Sequence, residues 1–171
     1  MRGWIALALM LPLAVWAQAG GAEGNYGNVL RVDEAQVPIP EYPKSGNYLP
    51  LQVSATATFT FFVDAKAVSV GKDGVVRYTL IATSADGVLN VSFEGIRCST
   101  GQFRIYAFGR SDNTWSEARG SQWQPIPADK RNAQRAVLYA DYFCSKTRII
   151  ETSDEAVQAL RSGPPRAAYT Y

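Results

Sequence analysis

The sequence predicts an α+β fold: an antiparallel β-meander of five or six strands with one face covered by a C-terminal helix. Apolar and polar residues alternate through the middle third of the chain, Asp-Gly pairs follow two of the alternating runs, and apolar residues recur at helical spacing further on. If the helical stretch proves extended, a small β-barrel or sandwich is the alternative.

The N-terminal residues have the composition of a cleaved signal peptide. A positive start, Met1–Gly3, is followed by an apolar run, Trp4–Trp16, and by the small-x-small triplet Ala17–Ala19. The apolar run is shorter than the roughly 20 residues that a membrane-spanning helix needs. We therefore expect cleavage before Gly20, export to the periplasm and no membrane span.

The rest of the chain divides by composition into three parts. Residues 20–50 are rich in Gly and Pro and predict an extended lead-in. Residues 51–145 predict a single α+β domain. Residues 146–171 predict a C-terminal extension with a short helix and a frayed end.

Six alternating runs predict the strands, the first of which fits one strand or a bent pair. The predicted strands span residues 51–63, 67–70, 75–83, 88–94, 102–109 and 114–118. The pairs Asp73-Gly74 and Asp86-Gly87 supply the positive φ that tight hairpin turns need. The residues predicted to face the core are Val76, Tyr78, Leu80 and Ala82, then Leu89, Val91 and Phe93, then Phe103, Ile105 and Ala107.

Two helices are predicted after the strands. Apolar residues at helical spacing indicate the first over Asp129–Phe143, with Asp129 as its N-cap. Thr152 and Glu155 form the pattern of a capping box at the start of the second, Thr152–Arg161.

Cys98 and Cys144 predict one disulfide, because an exported chain with an even cysteine count pairs its thiols. The bridge closes a loop of about 47 residues. In the chain-entropy description a loop of this length stabilises the fold by about 4 kcal/mol. The bridge would tie the end of the first helix to the region just after the 88–94 strand.

Composition excludes several classes of function. The chain contains no histidine, which excludes Ser-His-Asp and Cys-His catalysis and removes the commonest metal ligand. The formal net charge of +2 provides no basic footprint for nucleic acid. We therefore predict no catalytic residue, no cofactor, no metal site and no nucleic-acid partner.

Strand parity predicts a polar face opposite the apolar one, and this face with its adjoining turn is the candidate binding surface. Its residues are Arg77, Asn90, Ser92, Glu94, Arg104, Tyr106, Arg110 and Trp115. Guanidinium, carboxylate and aromatic groups together can bind peptides, sugars or a partner's carboxylates. The alternative is an ordinary solvated sheet face with cross-strand ion pairs such as Glu94 with Arg104. Trp115 and Trp123 flank a loop and form either a stacking platform or a plug for the core.

Four stretches of the sequence carry a resemblance to a known family. They are residues 61–64 (FFVD), 74–79 (GVVRYT), 90–98 (NVSFEGIRC) and 106–109 (YAFG). Together they resemble the CNP1-like family of exported proteins from Gram-negative, mainly beta-proteobacterial, species. The resemblance covers roughly residues 40–144 and leaves the tail from Ser145 onward outside it. It implies a periplasmic or envelope location and brings no activity, cofactor or catalytic residue.

Two classes of function fit these observations. The first is a non-catalytic exported binding or envelope-assembly module that recognises a protein partner or a cell-wall polymer. The second is a histidine-free periplasmic hydrolase or lyase that uses carboxylates or a tyrosine. A deep pocket with convergent acidic, arginine or tyrosine groups favours the enzyme, and a flat aromatic-polar patch favours the binder. The oligomeric state is not predicted.

Overall fold

An antiparallel sheet is the centre of the fold, as the alternation predicts. The computed structural model describes residues 34–36, 38–54, 57–127, 133–145 and 148–163, all within one compact unit, Val32–Tyr171. The strands of the sheet in this described part are β1 (Tyr48–Leu51), β2 (Phe59–Asp64), β3 (Ser69–Val70), β4 (Val75–Ser84), β5 (Leu89–Arg97), β6 (Gln102–Gly109), β7 (Trp115–Glu117) and β8 (Gln124–Pro125). Their spatial order is β1-β2-β4-β5-β6-β7, with β3 paired to β4 and β8 paired to β6.

Tight turns join the central strands where the Asp-Gly pairs predict them. Gly74, between β3 and β4, has a φ of 69°, and Gly87, between β4 and β5, has a φ of 80°. The β4–β5 ladder then runs from Val75 opposite Arg97 to Thr83 opposite Leu89. Single 3₁₀ turns, Ser45–Asn47 and Ala65–Ala67, precede β1 and β3.

The helical part after the sheet begins as α1 (Ala133–Val137) and continues as a π-helical segment (Leu138–Phe143). The N–H of Cys144 donates to the carbonyl of Tyr139, which is the five-residue spacing of a π turn. This spacing brings Leu138, Tyr142 and Phe143 to one buried face. The predicted helix is confirmed in this range, and its predicted N-cap, Asp129, lies outside the described residues.

The chain then forms a small two-stranded ladder, β9 (Cys144–Ser145) with β10 (Arg148–Ile149), which is followed by α2 (Ser153–Ser162). Thr152 caps α2, and Thr152 and Glu155 form the predicted capping box. Ala156 and Leu160 of α2 are buried in the main core. The C-terminal helix, which was expected as an extension, therefore packs on the sheet.

The main core lies between the sheet and this helical layer. Its buried members are Leu51, Val63, Val68, Val76, Tyr78, Leu80, Ile96, Phe103, Leu138, Tyr142, Phe143, Ile150, Ala156 and Leu160. The predicted Cys98–Cys144 disulfide links the residue directly after β5 to the first residue of β9, directly after the π-helical segment, with Cα atoms 5.3 Å apart.

The opposite face of the sheet is buried too, which the sequence did not predict. Its buried residues are Val75, Arg77, Thr79, Ile81, Val91, Phe93 and Ala107. Part of the predicted lead-in contacts this side: Trp115 Nε1 donates to the Pro40 carbonyl at 2.9 Å, and the Tyr42 ring packs 5.3 Å from the Trp115 ring. The sheet therefore has a helical layer on one face and an N-terminal segment on the other.

The register of β5 corrects the predicted facing of its residues. Tyr78 pairs with Glu94 and Leu80 with Ser92, so Glu94 and Ser92 share the helix-covered face with Tyr78. Val91 and Phe93 lie on the opposite face. Because both faces are buried, apolar residues occur on both, and hydrophobicity alone does not determine which set points to the helices.

Candidate functional site

Two arginines meet across a glycine on the face opposite the helices. Arg77 of β4 pairs with Gly95 of β5, and Gly95 pairs with Arg104 of β6. All three residues therefore point to the same side of the sheet. This row is the floor of the candidate site.

Tyr106 lies over the glycine in this row. The register between β5 and β6 shifts at Phe93 and Glu94, and such a bulge turns a side chain away from simple alternation. A Cβ atom on Gly95 would approach the Tyr106 hydroxyl to 2.6 Å. Only a glycine leaves room for the ring, which packs against Phe93 at a centroid distance of 5.3 Å.

Both arginines also contact the Tyr106 ring. The guanidinium carbons of Arg77 and Arg104 lie 5.7 Å and 5.5 Å from its centroid. Arg77 is only 1% exposed and forms a bidentate pair with Asp73, with Nη2 to Oδ2 at 2.6 Å and Nη1 to Oδ1 at 3.2 Å. Such a pairing fixes the guanidinium plane as well as its charge.

Trp123 closes the other side of the site. It directly precedes β8, which pairs with β6, and its ring lies 4.1 Å from the guanidinium carbon of Arg97. Its indole N–H and the polar ends of the Arg77, Arg104 and Tyr106 side chains converge on one point. We call these four residues, Arg77, Arg104, Tyr106 and Trp123, the carboxylate cradle.

Glu34 from the N-terminal segment occupies the carboxylate cradle. Its Oε2 accepts from Arg104 Nη1 at 2.8 Å and from Trp123 Nε1 at 3.0 Å. Its Oε1 accepts from the Tyr106 hydroxyl and lies 3.6 Å from Arg77 Nη2. One carboxylate thus meets two guanidinium groups, a phenol and an indole.

A cleft of about 590 Å³ adjoins the cradle. Its lining residues are Glu34, Ala35, Gln36, Ile39, Arg77, Phe93, Arg104, Tyr106 and Glu117. The side chain of Arg104 is one-third exposed, and Tyr106 and Trp123 are also only partly buried, so solvent reaches the cradle. A ligand entering the cleft would meet guanidinium and aromatic groups together.

The contacts in and around the cradle move the pKa values of Glu34, Tyr106 and Asp73 further from neutral pH. Burial alone would raise the pKa of Glu34, but hydrogen bonds from Tyr106 and Trp123 and the charge of Arg104 outweigh it and lower that pKa. Burial and the hydrogen bond to Glu34 raise the pKa of Tyr106. Burial would likewise raise the pKa of Asp73, but hydrogen bonds from Arg77 and from two backbone N–H groups lower it to about 2.

Glu94, which was predicted on this surface, lies on the opposite face and has another role. It is fully buried and accepts from Arg135 of α1 twice at 2.7 Å, from Ser92 at 2.6 Å and from Tyr78 at 3.1 Å. The expected Glu94–Arg104 ion pair is therefore wrong, and the partner is an arginine on the covering helix. This cluster joins the helix to the sheet.

The remaining predicted surface residues are distributed over several places. Asn90 and Ser92 line a separate cleft of about 420 Å³ on the helix-covered face. Arg110 is exposed in the turn after β6 and donates to Ser116 Oγ at 3.2 Å. Trp115 is half-buried against the N-terminal segment. Of the eight predicted surface residues, the cradle brings together Arg77, Arg104 and Tyr106.

The sequence does not predict the role that four residues have in this site. Glu34 lies in the predicted lead-in, Asp73 is predicted only as a turn residue, and Gly95 belongs only to a family motif. Trp123 is predicted as a platform or a plug, and in the structure it donates a hydrogen bond to a carboxylate. One feature of the sequence could have indicated the Glu34 contact: an acidic residue in the lead-in precedes a predicted sheet face with two arginines.

Three further findings concern the described residues alone. No group of three or more Cys, Asp or Glu side chains in this part of the chain is arranged to hold a metal ion. None of its helices is long and apolar enough to cross a membrane. The disulfide is compatible with an exported protein. The predicted signal peptide, residues 1–19, lies outside the described range.

Comparison with known proteins gives one match. No curated protein matches the chain, and no solved structure does. The model of the CNP1-like family matches residues 30–161, so the shared region includes Glu34 and all but the last residue of α2 and does not stop near Cys144 as expected. The chain therefore belongs to the CNP1-like family.

Proposed function

We propose that this chain is a non-catalytic binding module that is exported to the periplasm and recognises a protein partner or a cell-wall polymer. The observation that carries the proposal is the convergence of Arg77, Arg104, Tyr106 and Trp123 around one carboxylate at the edge of a cleft. Arginine forks with aromatic neighbours are the usual means of recognising carboxylates.

The chemistry of the cleft favours binding over catalysis. A general acid or base works best with a pKa near the ambient pH. Here the carboxyl pKa values of Glu34 and Asp73 are lowered and the phenol pKa of Tyr106 is raised. All three groups keep one protonation state around neutrality, which suits recognition and does not suit proton transfer.

Two features of the chain support export: the N-terminal leader pattern and the disulfide. The first 19 residues have the pattern of a cleaved leader, and a disulfide in the mature part of the chain persists in an oxidising compartment. Cell fractionation with mass measurement tests this part. We expect the chain in the periplasmic fraction with its N-terminus at Gly20, and an uncleaved cytoplasmic chain would contradict export.

Site-specific photocrosslinking in intact cells tests the binding site. A photoreactive residue at Glu117, which is exposed and lines the cleft, should form a discrete adduct with the ligand. Arg104→Gln should abolish this adduct, whereas the matched exposed variant Arg119→Gln should leave it intact. A Glu117 adduct that survives Arg104→Gln, or the absence of any adduct, would count against the cleft as the binding site.

A further inference from the structure

The contacts of the N-terminal segment with the cleft include its backbone as well as the Glu34 carboxylate. The N–H of Ala35 donates to Asp73 Oδ2 at 2.8 Å. The carbonyl of Ala35 accepts from Arg77 Nη2 at 3.1 Å. The buried Asp73–Arg77 pair therefore contacts both backbone polar groups of the residue that follows the glutamate.

This combination matches a peptide backbone, in which an N–H and a C=O follow the glutamate within one residue. A simple carboxylate or a uronic acid would satisfy the cradle, but neither has an adjacent N–H and C=O to satisfy Asp73 and Arg77 together. The side chain of Ala35 is exposed, so the residue after the glutamate is recognised through its backbone. The contacts describe a ligand of the form Glu-Xaa in which Xaa is weakly restricted.

Three of the four receptor groups are held in position by contacts that do not involve Glu34. Arg77 is fixed by Asp73, Trp123 stacks on Arg97, and Tyr106 packs on Phe93. These three groups are thus preorganised. The fourth, Arg104, lies 5.5 Å from the Tyr106 ring centroid, and its buried Nε has no hydrogen-bond partner among the described residues.

We infer that the cleft is a receptor for a glutamate-containing peptide segment of another protein, and that Glu34-Ala35 is its intramolecular occupant. This inference rests on the proposed binding function and specifies its ligand. In the resting chain the segment occupies the site, and a partner segment binds by replacing it. The ligand offers a glutamate carboxylate to the cradle and the next residue's backbone to Asp73 and Arg77.

An intramolecular occupant lowers the apparent affinity for an external peptide. With an effective concentration on the order of 1 mM and an intrinsic Kd of about 0.1 mM, the reduction is about tenfold. Removing the carboxylate from position 34 should therefore make binding of an external glutamate peptide about tenfold tighter. Loss of a receptor arginine should abolish it.

The test is fluorescence anisotropy with residues 20–171 of the chain and a labelled peptide copying Leu30–Pro38, LRVDEAQVP. Glu34→Gln protein should bind this peptide about tenfold more tightly than the wild-type protein. The same peptide with Gln in place of its glutamate should not bind, and neither should the native peptide bind Glu34→Gln/Arg104→Gln protein. Circular dichroism and thermal unfolding check that each variant is folded.

A second variant covers the case in which the backbone contacts alone keep the segment in place. Glu34→Gln/Ala35→Pro also removes the N–H of residue 35 that donates a hydrogen bond to Asp73. If neither folded variant binds the peptide at millimolar concentration, the inference is overturned. Binding of soluble peptidoglycan fragments without binding of the peptide would overturn it too. Loss of the Glu117 crosslink in Arg104→Gln cells would then leave the proposed function standing with a different ligand.

Discussion

The buried pair between Glu94 and Arg135 offers the sharpest test of how the helix is attached to the sheet. Glu94 is 0% exposed and receives two charged hydrogen bonds of 2.7 Å from Arg135. Arg135→Met removes both donors and leaves the carboxylate buried without its counter-charge. Breaking a buried pair from one side costs about 3–5 kcal/mol.

The individual contacts give an overlapping but higher range. Hydrogen bonds to charged groups contribute about 1.5–3 kcal/mol each, and two of them are lost. The Arg135 guanidinium also lies 4.4 Å from the Phe103 ring centroid, a contact worth about 0.5–1 kcal/mol or more. For a chain of this size we expect the melting temperature to fall by about 10 °C.

A double-mutant cycle identifies the cause of the loss. Glu94→Gln in the Arg135→Met background removes the buried charge but keeps an acceptor for Tyr78 and Ser92, so it should recover about 2 kcal/mol or more. Urea unfolding followed by tryptophan fluorescence, with the disulfide intact, measures all four species. Arg119→Met, at an exposed arginine, is the matched control and should change stability by less than about 0.5 kcal/mol.

Two results would refute this reasoning. If Arg135→Met unfolds within about 1 kcal/mol of the wild type, the pair is not buried as described. If Glu94→Gln adds its own destabilisation to that of Arg135→Met and does not relieve it, the loss comes from packing and not from an unpaired charge. Either outcome would remove the electrostatic explanation for how α1 is held.

Three other predictions concern stability. Replacing Cys98 and Cys144 by alanine should cost about 4 kcal/mol, because their sequence separation is 46; a loss under about 1 kcal/mol in urea unfolding would contradict it. The lowered pKa of Asp73, about 2, stabilises the fold above the unfolded-state pKa, so about 2 kcal/mol should be lost as the pH falls from about 4 to about 2. Asp73→Asn should remove this part of the acid dependence, as measured by unfolding at several pH values. Thr152→Ala should cost about 1 kcal/mol through loss of the α2 cap, and an unchanged melting curve would show that the cap is unimportant.

Much of the fold could be read from local patterns. Alternation identified β4 and β6 nearly to the residue, the Asp-Gly pairs identified the turns, and the Thr152–Glu155 pattern identified the start of α2. These features are local, because side-chain period, positive φ and helix capping involve residues within a few positions of one another. The family resemblance was likewise carried by short continuous stretches, and it proved right.

The facing of β5 could not be derived in the same way. Its residues alternate, but Val91 and Phe93 are buried on one face while Glu94 is buried on the other. Parity identifies two sets of residues and does not say which set meets the helices. The sequence-based choice treated charge as a sign of exposure, which fails when an arginine on another element pairs with the carboxylate.

The candidate site likewise depends on contacts between residues that are far apart in the sequence. Arg77, Arg104 and Tyr106 were expected on one surface and do come together, since they lie on neighbouring strands. Glu34 meets Arg104 across 70 positions and Trp123 across 89, and no short-range pattern encodes those contacts. The one-dimensional chain thus determined the elements and their periodicity. Only the packed sheet, with both faces covered, decided that an acidic residue of the N-terminal segment would lie between two arginines.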